Sequence, residues 1–189
     1  MAFINFENVG FAYPNGYSAV EDVSFEIEKG ENNCHCWTKW SRKNYNCKND
    51  KWIVKTHIRK SCCGRYGYKR FYHSCIIKKA GYVFQNPDDQ IFHNTVEKEI
   101  RFGPEVLKMS EGKVKEMTEY SASLTGLTGE MEENPYNLPL SVRKFVTIAS
   151  IIAMDTDIII LDEPTAGQDI KGIRLLENML KELTARGKT

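Results

Sequence analysis

"IIILDEPTAGQD", Ile158 to Asp169, decides how the rest of the chain is read. Four successive apolar residues read as a buried strand, and they end in two adjacent carboxylates, Asp162 and Glu163. The carboxyl edge of a sheet is where α/β folds bind ligands. There, one carboxylate can hold Mg²⁺ through water while the other orients or deprotonates an attacking water. An Asp-Glu pair alone reads better as a solvated acidic turn, so the surrounding sequence must decide.

Downstream, "DIKGIRLLENMLKELTARGKT" places Ile173, Leu176, Leu180 and Leu183 on one face, which predicts an amphipathic helix. Upstream, Val142 to Met154 reads as a mostly apolar helix, preceded by the loop "NPYNLPLS". The stretch from Thr95 to about Leu127 is helical and charged. Gly81 to Phe84 reads as a short buried strand that leaves into a polar loop, and Ile158 to Leu161 as a fully buried one. At the start, "FINFENVGFAYPNG" and "AVEDVSFEIEKGE" read as two antiparallel-type strands around a Pro-Asn-Gly turn. Strands separated by helices predict an α/β sheet. No internal repeat is present.

A length of 189 residues suits one domain. "MAFINFENVG" has neither a basic n-region nor an apolar h-region, which predicts no signal peptide. The longest apolar runs, "IASIIAM" and "IIIL", are far too short to span a bilayer. The expected location is cytoplasmic. The net charge of +1 conceals a division: residues 33–75 hold eleven Lys/Arg and one acid, Asp50. They are +10, so the remainder is −9, and they also contain all six Cys and all three Trp. That is a sharper composition shift than a linker gives.

Three stretches carry a family resemblance. "LDEPTAGQD" resembles the Walker B and D-loop of an ABC-type ATPase, and "YVFQNPDDQIFHNTVEKEIRFGP" resembles that family's Q-loop region. The Gln-Asn-Pro-Asp-Asp-Gln form is similar to the ATPase subunits of energy-coupling factor importers, the cobalt, nickel and vitamin type. "FENVGFAYPNG" resembles the first strand and A-loop. The resemblance covers about residues 3–30 and 76–189, with its motifs in the family's order. It implies an ABC-type P-loop ATPase core with an N-terminal antiparallel β subdomain and a helical subdomain at 96–141, all within one partial domain of residues 1–189. The implied reaction is ATP hydrolysis, with Mg²⁺, coupled to import of a metal ion or vitamin. The implied partners are a second ATPase subunit, a transmembrane coupling protein and a substrate-capture protein. They would place the chain on the inner face of the cell membrane, with no nucleic acid involved.

Residue by residue, the resemblance implies that Tyr13 stacks on adenine and that Gln85 contacts Mg²⁺ or the lytic water and reports to the membrane partner. It implies that Asp162 holds Mg²⁺, that Glu163 is the general base, and that Asp169 lies in the D-loop at a dimer interface. Each also has a purely structural reading: Tyr13 as an edge-strand aromatic, Gln85 as a loop polar group, Asp169 as a helix N-cap.

Such an enzyme needs G-x-x-x-x-G-K-[ST], whose backbone N–H groups cradle phosphates while Lys reaches the terminal ones. The resemblance places it within about ten residues of Gly30, yet no glycine lies between Gly30 and Gly64. The genetic code supplies a reason. Read one nucleotide later, the codons of Trp37, Trp40 and Trp52 must each give Gly. The surrounding codons admit I-A-I-V-G-P-N-G-x-G-K-T-T, a buried strand and a full phosphate loop. A one-base gain near Asn32 and a one-base loss near Cys75 to Ile77 would displace the frame in this way. The segment is then expected to be aberrant, misfolded or disordered, and ATP binding weak or absent, as in a gene remnant. The rival reading keeps the segment as selected protein. Its basic residues among Trp and Tyr could bind single-stranded nucleic acid, or its Cys and His could ligate zinc, although their spacing does not match structural zinc sites.

Two further departures stand out. Where the family has L-S-G-G-Q or L-S-x-G-E, this chain has Leu138-Pro139-Leu140-Ser141-Val142, with Phe145 where Arg is usual. The resemblance also implies a further strand and a switch histidine beyond Thr189; His93 instead lies in the Q-loop region.

Overall fold

The computed structural model describes residues 3–32, 60–63, 66–67 and 79–189. The chain divides into two compact units, Met1–Tyr72 with Thr189, and His73–Lys188.

The first unit is an antiparallel sheet. Strands β1 (Ile4–Ala12), β2 (Ser18–Ile27), β3 (Lys60–Cys63) and β4 (Tyr66–Gly67) lie in the order β2-β1-β3-β4. The Pro14-Asn15-Gly16 turn joins β1 to β2, with Gly16 at φ +80° and the Tyr13 N–H donating to the Tyr17 carbonyl at 2.8 Å. Phe6 and Phe25 stack across the pair at 4.3 Å, a cross-strand contact of the kind that fixes register. Strands β3 and β4 fall inside the segment expected to be aberrant, and β3 pairs with β1 from Ile4↔Cys63 to Glu7↔Lys60. The displaced phosphate loop and the three Trp lie outside the described residues.

The second unit holds β5 (Ala80–Val83) and β6 (Ile158–Leu161), which pair in parallel from Ala80↔Ile158 to Val83↔Leu161. Around them are α1 (Val96–Val106), α2 (Glu111–Leu124), α3 (Leu140–Ala153) and α4 (Ile170–Ala185). Helix α3 is the axis of the core. Every residue from Lys144 to Ala153 is buried, and the helix packs on α1, α2 and the sheet. Gly81 permits that approach, because a Cβ there would collide with Ile151 Cγ2.

Three expectations are corrected. Strand β6 is not fully buried: Ile159 and Leu161 join the core with Val83, but Ile160 is 38% exposed. Side chains alternate along a strand, and α3 covers only the face shared by Val83, Ile159 and Leu161; Ile160 and its register partner Tyr82 occupy the other. Helix α3 begins at Leu140 rather than Val142, because Pro139, at φ −56°, stands at the N-cap. The charged helical stretch is two helices, broken where Lys108 takes φ +58°.

Candidate active site

The parallel pairing of β5 and β6 delivers two loops to one sheet edge. The Asp162 N–H donates to the Val83 carbonyl at 3.1 Å, extending the ladder one step past β6. Gln85 therefore faces the acidic pair, and its Nε2 donates to Glu163 Oε2 at 2.6 Å. The Tyr82 hydroxyl donates to Asp162 Oδ2 at 3.0 Å. Gln85, Asp162 and Glu163 thus lie at one sheet edge.

Glu163 takes φ +45°, left-handed backbone that disfavours an L-residue by roughly 1–2 kcal/mol. Its carbonyl accepts from the Ala166 N–H at 3.1 Å and from Lys144 Nζ at 2.6 Å. Lys144 Nζ also lies 3.4 Å from the Ala166 carbonyl. Lys144 is 3% exposed. Burial pushes its amine below the ordinary lysine range, and the Glu163 and Asp162 carboxylates pull it partly back. Gly167, at φ +75°, turns the loop onward to Gln168, whose Nε2 donates to the Ser141 carbonyl at 3.0 Å.

Asp169 lies further along, where its Oδ1 accepts the Gly172 N–H at 2.7 Å and caps α4. The structural reading of Asp169 is therefore realised. Tyr13 belongs to the first unit, where its ring meets Phe11 edge-on at 5.0 Å and Tyr17 at 6.2 Å. His93 pairs with the buried Glu99, with Nδ1 3.1 Å from Oε2. Of the signature stretch, Leu140 to Val142 form the first turn of α3.

Sequence reasoning missed Tyr82, Lys144 and the Arg143–Asp88 pair, whose Nη1 and Oδ1 are 2.6 Å apart. A lone lysine inside the apolar run of α3 was a legible signal. The phenol three positions before Gln85 carried none, because only the sheet register brings it to Asp162.

Mg²⁺ typically takes one or two carboxylates and keeps several waters, so a lone carboxylate with a neighbouring carboxamide suits it. Asp162, with Gln85 on the neighbouring loop, could supply such a set. Among the described residues no group of three or more His, Cys, Asp or Glu could hold a metal, so a dedicated transition-metal centre has no counterpart there. No helix among the described residues is long and apolar enough to cross a membrane.

No family model matches the chain. Among solved structures, it is similar to cbiO1 of Clostridium perfringens, described as part of the ABC transporter complex cbiONQ. The TM-score is 0.84 at 24% identity, covering 98% of this chain and 75% of that one. It is also similar to an ATP-binding cassette solved as a dimer in a post-hydrolysis state with ADP and phosphate, with TM-score 0.79, 21% identity and coverage of 98% and 85%. The fold is that of an ABC-type ATPase domain.

Curated relatives narrow this. The energy-coupling factor transporter ATP-binding protein EcfA of Methanococcus maripaludis is 32% identical over 193 aligned positions, covering 100% of this chain and 69% of the relative. The EcfA of Methanocaldococcus jannaschii is 31% identical over 196, covering 100% and 68%. The chain belongs to the family of energy-coupling factor transporter ATP-binding proteins.

Proposed function

We propose that this chain derives from the ATP-binding subunit of an energy-coupling factor importer in which the carboxylate half of the catalytic site is built and the phosphate-binding half is not encoded. The observation that carries the reading is the Gln85–Glu163 bond, which unites Q-loop and Walker B residues at one sheet edge. Asp162 would hold Mg²⁺, and the hydroxyl of Tyr82 fixes one of its oxygens. Mg²⁺–ATP, were it bound, would supply the phosphoryl group. Glu163 accepts the proton of an attacking water, and Gln85 holds its Oε2 and senses the site. Tyr13 stacks on adenine, and Asp169 caps α4 at the edge offered to a second ATPase subunit. Family membership supports the rest of this reading: a helical subdomain at 96–141, a transmembrane coupling protein and a substrate-capture protein as partners, and a place on the cytoplasmic face of the membrane.

The chain as written binds ATP weakly or not at all. A phosphate loop contributes charge-assisted hydrogen bonds of roughly 1.5–3 kcal/mol each, so losing three of them weakens binding by about 10³-fold or more. Calorimetric titration of the full chain with ATP and Mg²⁺ tests this. No saturation is expected up to about 1 mM nucleotide, and micromolar binding overturns the reading. The displaced frame is tested separately by resequencing DNA and transcript from Gly30 to Gly81, where bases encoding these residues in a single verified frame would overturn a sequence error.

A further inference from the structure

Lys144 is the one cation inside the buried length of α3. A buried amine is expensive, and an apolar side chain of similar size at such a place is often neutral or better for stability. This amine is within hydrogen-bonding distance of two main-chain carbonyls of one turn, Glu163 at 2.6 Å and Ala166 at 3.4 Å. That turn contains the left-handed Glu163. Rotation about φ moves everything beyond the N–Cα bond, the carbonyl and the side chain together. A lysine that holds the Glu163 carbonyl therefore also constrains the direction in which its side chain leaves the backbone. One helical turn earlier, the Ser141 carbonyl accepts from Gln168 Nε2 at 3.0 Å, tying the far end of the same loop to the same helix.

We propose that Lys144 is a positioning residue: by holding the Glu163 and Ala166 carbonyls it keeps Glu163 in the left-handed turn that sets its carboxylate against Gln85. Helix α3 is thereby a strut for the acidic loop, through the Lys144 amine and the main-chain carbonyl of Ser141. This rests on the assignment of Gln85 and Glu163 as working partners, but the bond it concerns can be read without nucleotide.

The test is the side-chain amide of Gln85 in ¹⁵N-resolved spectra of the full chain, with its proton exchange. In Lys144→Met the Gln85 Nε2–H signals are expected to move, and their exchange to quicken by about threefold or more as the bond to Glu163 opens. Lys144→Arg, which keeps a long cationic donor, is expected to restore both. Thr147→Val, equally buried on α3, controls for a merely structural disturbance and should leave the Gln85 signals in place whatever it does to stability. Parental Gln85 signals and exchange in Lys144→Met overturn the proposal. Should Lys144→Met not fold, Lys144→Gln, whose shorter side chain falls short of the turn, takes its place with the same expected and overturning outcomes. Failure of ATP to bind leaves this readout untouched, so the two readings fail separately.

Discussion

Glu99 offers the sharpest test of how the Gln85 loop is anchored. It lies on α1, is 3% exposed, and its Oε2 accepts the Phe92 N–H at 3.2 Å and the His93 N–H at 2.9 Å. The same oxygen is 3.1 Å from His93 Nδ1. One carboxylate oxygen thus satisfies two main-chain donors in the segment that leads from the Gln85 loop into α1. Glu99→Ala leaves both without their acceptor, and a buried unsatisfied donor costs roughly 1–3 kcal/mol. Phe92 is 61% exposed, so water reaches part of this segment and the lower half of the range applies. The expected loss is about 2–4 kcal/mol, or roughly 4–16 °C in Tm for a chain of this length. Glu99→Gln keeps an acceptor oxygen and should lose only about 1 kcal/mol. The assay is urea unfolding followed by circular dichroism, with Glu119→Ala as an exposed control expected within about 0.5 kcal/mol of the parent. Amide exchange at Phe92 and His93 gives the local reading and should quicken in Glu99→Ala. A Glu99→Ala loss no larger than that of Glu119→Ala would refute the reasoning.

Three other substitutions follow from the same packing. Gly81→Ala drives a Cβ into Ile151 Cγ2 and within 3.3 Å of Thr156 Oγ1, and should cost about 1–3 kcal/mol in thermal unfolding. Tyr120→Phe removes a buried phenol oxygen that has no hydrogen-bond partner among the described residues, while the Arg186 guanidinium stays 3.7 Å from the ring centroid; stability at neutral pH should hold or rise by up to about 1 kcal/mol. Burial raises the Tyr120 pKa above its usual 10.0, so the folded chain keeps the phenolic proton more tightly than the unfolded one. That contribution is complete below pH 10 and lost as pH rises through the folded pKa, so the advantage of Tyr120→Phe in a Tm–pH series should widen above pH 10. Asp169→Ala deletes the cap of α4 and should cost about 1 kcal/mol, whereas Asp169→Asn should keep most of it.

Apart from β3 and β4, which pair within the segment expected to be misfolded or disordered, the order of strands and helices was legible because each element carries its period locally. The Pro-Asn-Gly turn, the apolar run of β6 and the amphipathic face of α4 need no long-range information. Gln85, Asp162 and Glu163 were legible because their motifs sit at strand ends, and strand ends converge once the strands pair in parallel. What the sequence hid lies in bonds between distant positions. Lys144 reaches Glu163 across 19 residues and Tyr82 reaches Asp162 across 80, and neither distance follows from a local pattern. Ile160 was misjudged for a related reason: four apolar residues in a row say nothing about which face a helix will cover. Asp169 shows the converse, since its structural role as a cap was readable from its place immediately before the periodic run of α4.

The departures in this chain also separate two kinds of duty that one helix performs. The residues that the resemblance assigns to a partner's nucleotide, Pro139 to Val142, are altered. The two that follow make ties within the chain: Arg143 to Asp88 in the Gln85 loop and Lys144 to Glu163 in the acidic loop. Adjacent positions on a helix point about a quarter-turn apart, which lets this pair reach two different loops. The Arg143–Asp88 pair is partly exposed and worth at most about 1 kcal/mol, so it sets loop position more than stability. Substitutions confined to the preceding turn leave both ties intact. On the proposed reading, the altered signature and the missing phosphate-loop motif bear on nucleotide handling, while the edge that carries Gln85, Asp162 and Glu163 remains held from behind by α3. On that reading a chain without the phosphate-loop motif can keep a formed acidic edge, because the ties that build the edge come from other elements of the chain.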